Sequence, residues 1–70
     1  MNKIFAERLK ELREEKNLSI QSLSKEIKIS ASSLCRWENC QADIKSEELV
    51  MLAIYYKVSA DFLLGLDEYR

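Results

Sequence analysis

Hydrophobic residues recur at helical spacing from the start of the chain. Phe5, Leu9 and Leu12 are four and three positions apart, which places them on one face of a helix. Charged residues fill most of the intervening positions, as is typical of a solvated face. The pattern predicts a first helix over residues 3–16. Asn17 suits its end, because asparagine tolerates the left-handed conformation.

A serine precedes each of the four later apolar stretches, where its hydroxyl can accept a hydrogen bond from the first turn of a helix. The predicted caps are Ser19, Ser30, Ser46 and Ser59. Pairs or stripes of apolar residues three or four positions apart follow each cap. The predicted core positions of these helices are Leu23, Ile27, Leu34, Trp37, Leu49, Leu52, Ala53 and Tyr56. The chain is therefore predicted to be all-α, with five short helices and no strand.

Length and charge restrict the functional classes. Seventy residues form one domain with a small core. The net charge of −1 divides into +1 for residues 1–16, +1 for residues 17–46 and −3 for residues 47–70. The chain therefore lacks the strong overall positive charge of many nucleic-acid binders. Any contact with nucleic acid must use a local surface in the first two thirds of the chain.

Several classes of function are disfavoured by composition. No apolar run is long enough to span a membrane and no signal peptide is evident, so we expect a cytoplasmic protein without a membrane partner. Cys35 and Cys40, without any histidine, are too few for a zinc site, so no metal or cofactor is expected. Reduced thiols are the simpler interpretation, and a redox switch is the alternative. We do not expect this protein to be an enzyme, because no nucleophile with a visible base occurs in the sequence. We therefore expect no catalytic residues and no small-molecule ligand.

The second and third predicted helices indicate a specific interaction. Two short helices joined by a tight turn, the second starting with small polar residues, are typical of a helix-turn-helix, whose second helix lies in the DNA major groove. Leu34 and Trp37 would fasten this helix to the core. Ser32 and Arg36 would lie on its outer face, where a guanidinium can bond both acceptors of a guanine.

An ordered series of motifs strengthens this interpretation. The segments LKELREEKNLS, SSLCRWEN and LVMLAIYYKVSADFLLG, with the apolar framework between them, resemble the Cro/repressor-type helix-turn-helix domain, also called Cro/C1-type or xenobiotic-response-element type. The resemblance covers about residues 4–66. It implies a compact five-helix domain of lambda-repressor-like type over residues 1–66, with a central helix-turn-helix and a short tail at residues 67–70.

The resemblance also assigns roles to individual residues. The family's base-reading positions fall on Ala31, Ser32 and Arg36, with Ser33 beside them. Its phosphate-binding positions fall on the start of the second helix and on the region after the third, here Ser19, Ile20, Asn39, Gln41 and Lys45. Lys28, in the turn, can adopt a left-handed conformation or contact phosphate. Arg13 and Glu38 match a family ion pair between the first and third helices.

Four positions depart from the family pattern. Ile20 stands where glutamine is usual, Lys28 and Cys40 where glycine is usual, and Ile44 where proline is frequent. We expect the fold to tolerate all four. The set of DNA contacts is thinner, however, because neither Ile20 nor Ala31 can hydrogen-bond through its side chain, although Ala31 can meet a thymine methyl group.

The fourth predicted helix is apolar on more than one side. Its residues outside the core stripe are Val50, Met51, Ile54 and Tyr55. They either extend the core or scatter on the surface, or they form a homodimer contact together with Leu66 and Tyr69. A dimer would set two recognition helices about 34 Å apart.

Two functional hypotheses remain at this stage. The first is a sequence-specific double-stranded DNA-binding transcriptional regulator, a repressor of bacterial or phage origin. The second is a helix-turn-helix fold used mainly as a protein–protein interaction module with weakened DNA binding, which the acidic balance, Ile20 and Ala31 favour. A positive surface around Lys28, Arg36 and Lys45 would favour DNA.

Overall fold

The computed structural model describes residues 3–70, and it confirms the all-α prediction of five helices. In chain order they are α1 (Lys3–Glu15), α2 (Ile20–Ile27), α3 (Ala31–Glu38), α4 (Ser46–Tyr56) and α5 (Ala60–Leu64). No strand occurs within this part of the chain. α1 packs against α3 and α5, α2 packs against α3 and α4, and α4 also contacts α5.

Serine hydroxyls cap three of the helices. Ser19, Ser30 and Ser59 each accept a hydrogen bond from the backbone N–H three residues later, at 3.1, 3.2 and 3.0 Å. The prediction that Ser46 caps α4 is wrong. Lys45 is the extended N-cap residue and makes no side-chain capping bond, while Ser46 is already helical. Two acidic residues in the first turn of α4 face its positive dipole end instead.

The core draws side chains from every helix. Its buried members are Phe5, Leu9, Leu12, Leu23, Ile27, Ile29, Leu34, Trp37, Leu52, Tyr56, Phe62 and Leu63. The predicted apolar faces of α1, α2 and α3 all point into this cluster. Leu49 and Ala53 of α4 are half-buried against it. The spacing of apolar residues therefore identified the inward face of each of these helices.

Residues in the left-handed backbone conformation follow each of the five helices, although the chain has only one glycine. Asn17, Lys28, Cys40 and Lys57 have φ between 56° and 61°, and Gly65 has φ of 82°. For residues other than glycine this conformation crowds the Cβ atom against the backbone and costs roughly 1–2 kcal/mol. The turns therefore hold some strain that glycine would remove.

The last four residues fold back onto α1. The carbonyl of Arg70 accepts a hydrogen bond from the backbone N–H of Ser59 at 2.8 Å. The Arg70 guanidinium pairs with Glu15, and its hydrogen bonds lower the pKa of that carboxyl group. Arg8 of α1 donates to the carbonyl of Asp67 at 2.7 Å. These contacts join the two ends of the described chain.

One buried polar group lacks a partner. The Tyr56 hydroxyl is buried and has no hydrogen-bond partner among residues 3–70. Burial also raises the pKa of this phenol. Because an unsatisfied buried hydroxyl is costly, Tyr56→Phe is expected to raise the free energy of unfolding by about 1 kcal/mol in urea denaturation at neutral pH. A loss of stability would show that the hydroxyl is satisfied in solution.

Candidate nucleic-acid interface

The turn between α2 and α3 is held by side-chain and backbone hydrogen bonds. Lys28 is left-handed, and its N–H donates to the carbonyl of Ser24 at 2.9 Å. The Ser24 hydroxyl donates in turn to the carbonyl of Ile29, which is itself buried. This geometry fixes the direction in which α3 leaves α2.

The third helix has one buried face and one exposed face. Leu34 and Trp37 are buried in the core. Ser32 and Arg36, four residues apart and so on one side of the helix, are exposed, and Ala31 is half-buried. The outer face of α3 is therefore accessible. It has small side chains at the start of the helix and a positive charge one turn later.

Ser33 is engaged by the helix cap. Its backbone N–H donates to the Ser30 hydroxyl at 3.2 Å, and the two hydroxyl oxygens are 2.9 Å apart. The side chain is half-buried. Among the predicted base-reading residues, Ser32 and Arg36 are thus the ones that project freely from α3, whereas Ser33 helps to shape the start of the helix.

A bidentate ion pair joins α1 to the end of α3. Arg13 Nε lies 2.8 Å from Glu38 Oε2, and Arg13 Nη2 lies 3.0 Å from Oε1. Arg13 Nη1 also donates to the carbonyl of Leu18 at 2.7 Å. Only 14% and 8% of the two side chains are exposed. The hydrogen bonds to Glu38 raise the pKa of the Arg13 guanidinium. The pair sets the position of α3 relative to α1.

The predicted phosphate-binding residues lie at the edges of the helix-turn-helix. The side chains of Ser19, Lys28, Asn39, Gln41 and Lys45 are exposed. The side chain of Ile20 is half-buried against the core, so only its backbone N–H, at the first position of α2, can serve an anion.

Asn39 is held in place by its own helix. Its Nδ2 atom donates to the carbonyl of Cys35 at 2.8 Å. The same Nδ2 atom lies 3.4 Å from the Cys35 sulfur, so both of its hydrogens have a partner within α3.

A shallow surface depression of about 210 Å³ lies where α1, the start of α2 and the end of α3 meet. Its lining residues are Lys10, Arg13, Ile20, Cys35, Glu38 and Asn39. Lys10 was placed on a solvated face by the sequence pattern. Its spacing of three from Arg13 is the signal that could have placed it on the side of α1 that faces α3.

The outer surface of α4 is apolar. Val50, Met51 and Ile54 have exposed fractions of 50%, 40% and 71%. Beyond α5, Leu66 and Tyr69 are exposed as well. These side chains face away from the core.

Tyr55, which the sequence pattern groups with these residues, is less exposed than they are. It is half-buried against the core, and its ring meets the Tyr56 ring edge-on at 5.0 Å. The Lys16 ammonium lies 4.9 Å from the centre of the Tyr55 ring. The aromatic ring is therefore partly covered by neighbours within the same chain.

Other chemistry is limited in the described part of the chain. Cys35 and Cys40 are exposed and not joined in a disulfide. Residues 3–70 contain no group of three or more histidine, cysteine or acidic side chains placed to hold a metal ion. None of the described helices combines the length and hydropathy required to cross a membrane.

Comparison with known proteins agrees with this geometry. The sequence profile of a helix-turn-helix domain family matches residues 6–67. The uncharacterized HTH-type transcriptional regulator YobD of Bacillus subtilis (strain 168) is 34% identical over 65 residues, which make up 93% of this chain and 58% of that protein. The chain thus spans somewhat more than half the length of this relative. The family is not one of enzymes. The chain belongs to the helix-turn-helix domain family of Cro/C1 type.

Proposed function

We propose that this domain binds double-stranded DNA in a sequence-specific manner and represses transcription in the cytoplasm of a bacterium. The observation that carries the proposal is the exposed outer face of α3, with Ser32 and Arg36 projecting from a helix whose other face is fixed in the core. Such a face fits the major groove, and its arginine matches the acceptors of guanine. The name of the Bacillus relative, a transcriptional regulator, supports the same role.

Repression is the simplest outcome of such binding. A domain of this size that occupies a promoter blocks access of RNA polymerase without needing a further surface. The decisive experiment selects genomic fragments with the purified protein and measures affinity for the selected duplex against a scrambled one. A specific site should bind at least a thousandfold more tightly than non-specific DNA. Equal binding to both duplexes, or to neither at low salt, would refute the proposal.

A protein-interaction role is the second candidate. The charge of −3 over residues 47–70 and the exposed apolar surface of α4 favour it. The same experiment separates the two hypotheses, because an interaction module with weakened DNA binding would bind the selected and the scrambled duplex equally weakly.

The apolar surface of α4 supports a homodimer as part of the proposed function. Val50 and Ile54 are four residues apart and Met51 lies beside them, so they form one continuous exposed surface. A twofold contact through it would pair two recognition helices for two half-sites one helical turn apart. Leu66 and Tyr69 are candidates for the edge of this contact.

Ile54→Glu is expected to abolish the dimer, because it would bring two carboxylates together in an apolar contact. Sedimentation equilibrium should show a monomer at concentrations where the unmodified chain is dimeric. Affinity for a palindromic duplex should fall at least tenfold, whereas helix content by circular dichroism should not change. An unmodified chain that stays monomeric with DNA bound would contradict the dimer.

Lys28 and Lys57 form a matched pair for testing phosphate contact. Both are exposed lysines in the left-handed conformation at a helix end, but only Lys28 lies in the turn of the helix-turn-helix. Glycine at either position relieves strain, so both variants should gain roughly 0.5 kcal/mol in free energy of unfolding. Only Lys28→Gly should weaken DNA binding, as measured by fluorescence anisotropy. Equal affinities of the two variants would remove Lys28 from the interface.

A further inference from the structure

We propose that Lys10 of α1 contacts a DNA phosphate, and that the depression between α1, α2 and α3 receives the sugar-phosphate backbone beside the groove that α3 enters. This inference rests on the proposed DNA-binding function and extends it to a helix outside the helix-turn-helix.

The position of Lys10 is the first observation. Lys10 is exposed on α1 and lines the depression together with Ile20, Cys35 and Asn39. Cys35 lies on α3 and Asn39 caps its C-terminal end, both immediately beside the side that carries Arg36. A duplex placed on the outer face of α3 therefore brings one of its strands over this depression.

The charge of the depression is the second observation. Its other charged residues, Arg13 and Glu38, neutralise each other in the bidentate pair. Lys10 forms no hydrogen bond or ion pair with any residue in the described chain. The residues that line the depression thus have a net charge of +1, which suits an anion rather than a neutral or cationic ligand.

The remaining lining defines what kind of anion fits. Ile20 contributes an apolar wall without a hydrogen-bonding group. The Asn39 amide already donates to the carbonyl and the sulfur of Cys35, so the attraction for an anion comes from Lys10. The site is open and shallow, so it suits a group presented on an extended backbone rather than an enclosed small molecule. Contacts of this kind position a protein on DNA without reading sequence.

The test compares Lys10→Gln with the unmodified protein on a selected and a scrambled duplex between 50 and 200 mM salt. Loss of one phosphate contact should reduce the slope of log K against log salt by about 0.9. The same change in slope implies that the affinity of Lys10→Gln for DNA falls roughly eightfold at 0.1 M salt, by an equal factor on both duplexes. Lys10→Arg should restore the slope, because it keeps the charge.

Lys3→Gln is the matched control. It removes the same charge from the same side of α1, about 10 Å further along the helix axis, and Lys3 does not line the depression. Its salt slope should equal that of the unmodified protein. If Lys10→Gln and Lys3→Gln behave alike, the Lys10 contact is refuted while DNA binding stands. If the unmodified protein binds no duplex, the proposed function itself fails.

Alkylation of Cys35 gives a second readout that does not depend on charge. In a Cys40→Ser background, Cys35 is the sole thiol, and it lines the depression. Saturating duplex should slow its reaction with iodoacetamide at least tenfold. An unchanged rate in the complex would show that DNA does not cover the depression and would overturn the inference.

Discussion

Glu38→Ala is expected to lower the free energy of unfolding by about 3 kcal/mol. The substitution leaves the Arg13 guanidinium largely buried without its carboxylate, since only 14% of that side chain is exposed. Removing one partner of a buried ion pair lowers stability by more than the intact pair contributes, because the remaining charge is uncompensated. A domain of this length has a total stability on the order of 5 kcal/mol, so the variant should be partly unfolded at 37 °C.

Urea denaturation without DNA measures this effect. Glu7→Ala is the control, because Glu7 pairs with Lys3 at 4.0 Å on the exposed surface and its loss should be barely detectable. The double variant Arg13→Met with Glu38→Leu should recover most of the lost stability, since an apolar pair of similar volume needs no charge compensation. A Glu38→Ala variant as stable as the control would mean that Arg13 reaches water when its partner is gone.

Arg36→Ala is expected to weaken binding to the selected duplex by about 1–3 kcal/mol, or roughly five- to 150-fold. The exposed Arg36 side chain is long enough to reach a base edge from the outer face of α3. Because the lost contact reads one base pair, the variant should bind every base at that position about equally. Discrimination at the other positions should persist.

Arg36→Lys separates base reading from simple charge. Lysine keeps the positive charge but loses the planar fork that bonds two acceptors of guanine. The salt dependence of DNA binding should be the same for Arg36→Lys and the unmodified protein. The preference of the variant for one base pair at the contacted position should fall. Anisotropy against a set of duplexes with single base-pair changes measures both quantities. A uniform loss across all duplexes would assign Arg36 to a phosphate instead.

Much of the fold was predictable because local physics dominates it. The apolar spacing of α1 and α3 identified Phe5, Leu9, Leu34 and Trp37 as core residues, and the serine caps marked three helix starts. Ser46 was misplaced because a serine beside acidic residues has the composition of a cap whether it precedes the helix or begins it. Only backbone geometry distinguishes the two positions.

The candidate site was predictable where a single helix defines it. Spacing alone places Ser32 and Arg36 on the outer side of α3. The spacing of Lys10 from Arg13 places it toward α3, but the depression itself could not be predicted, because two other helices form it and their packing angle is not encoded in the α1 pattern. The half-buried position of Tyr55 also depends on residues outside its own helix, since Lys16 lies over its ring.

The return of the last residues onto α1 determines where any added segment would emerge. Arg70 is held through its carbonyl by Ser59 and through its guanidinium by Glu15. A tag, fluorophore or fusion partner joined after Arg70 would therefore start from a fixed point beside the end of the first helix. A flexible spacer at this junction is needed if the attached group is to tumble independently.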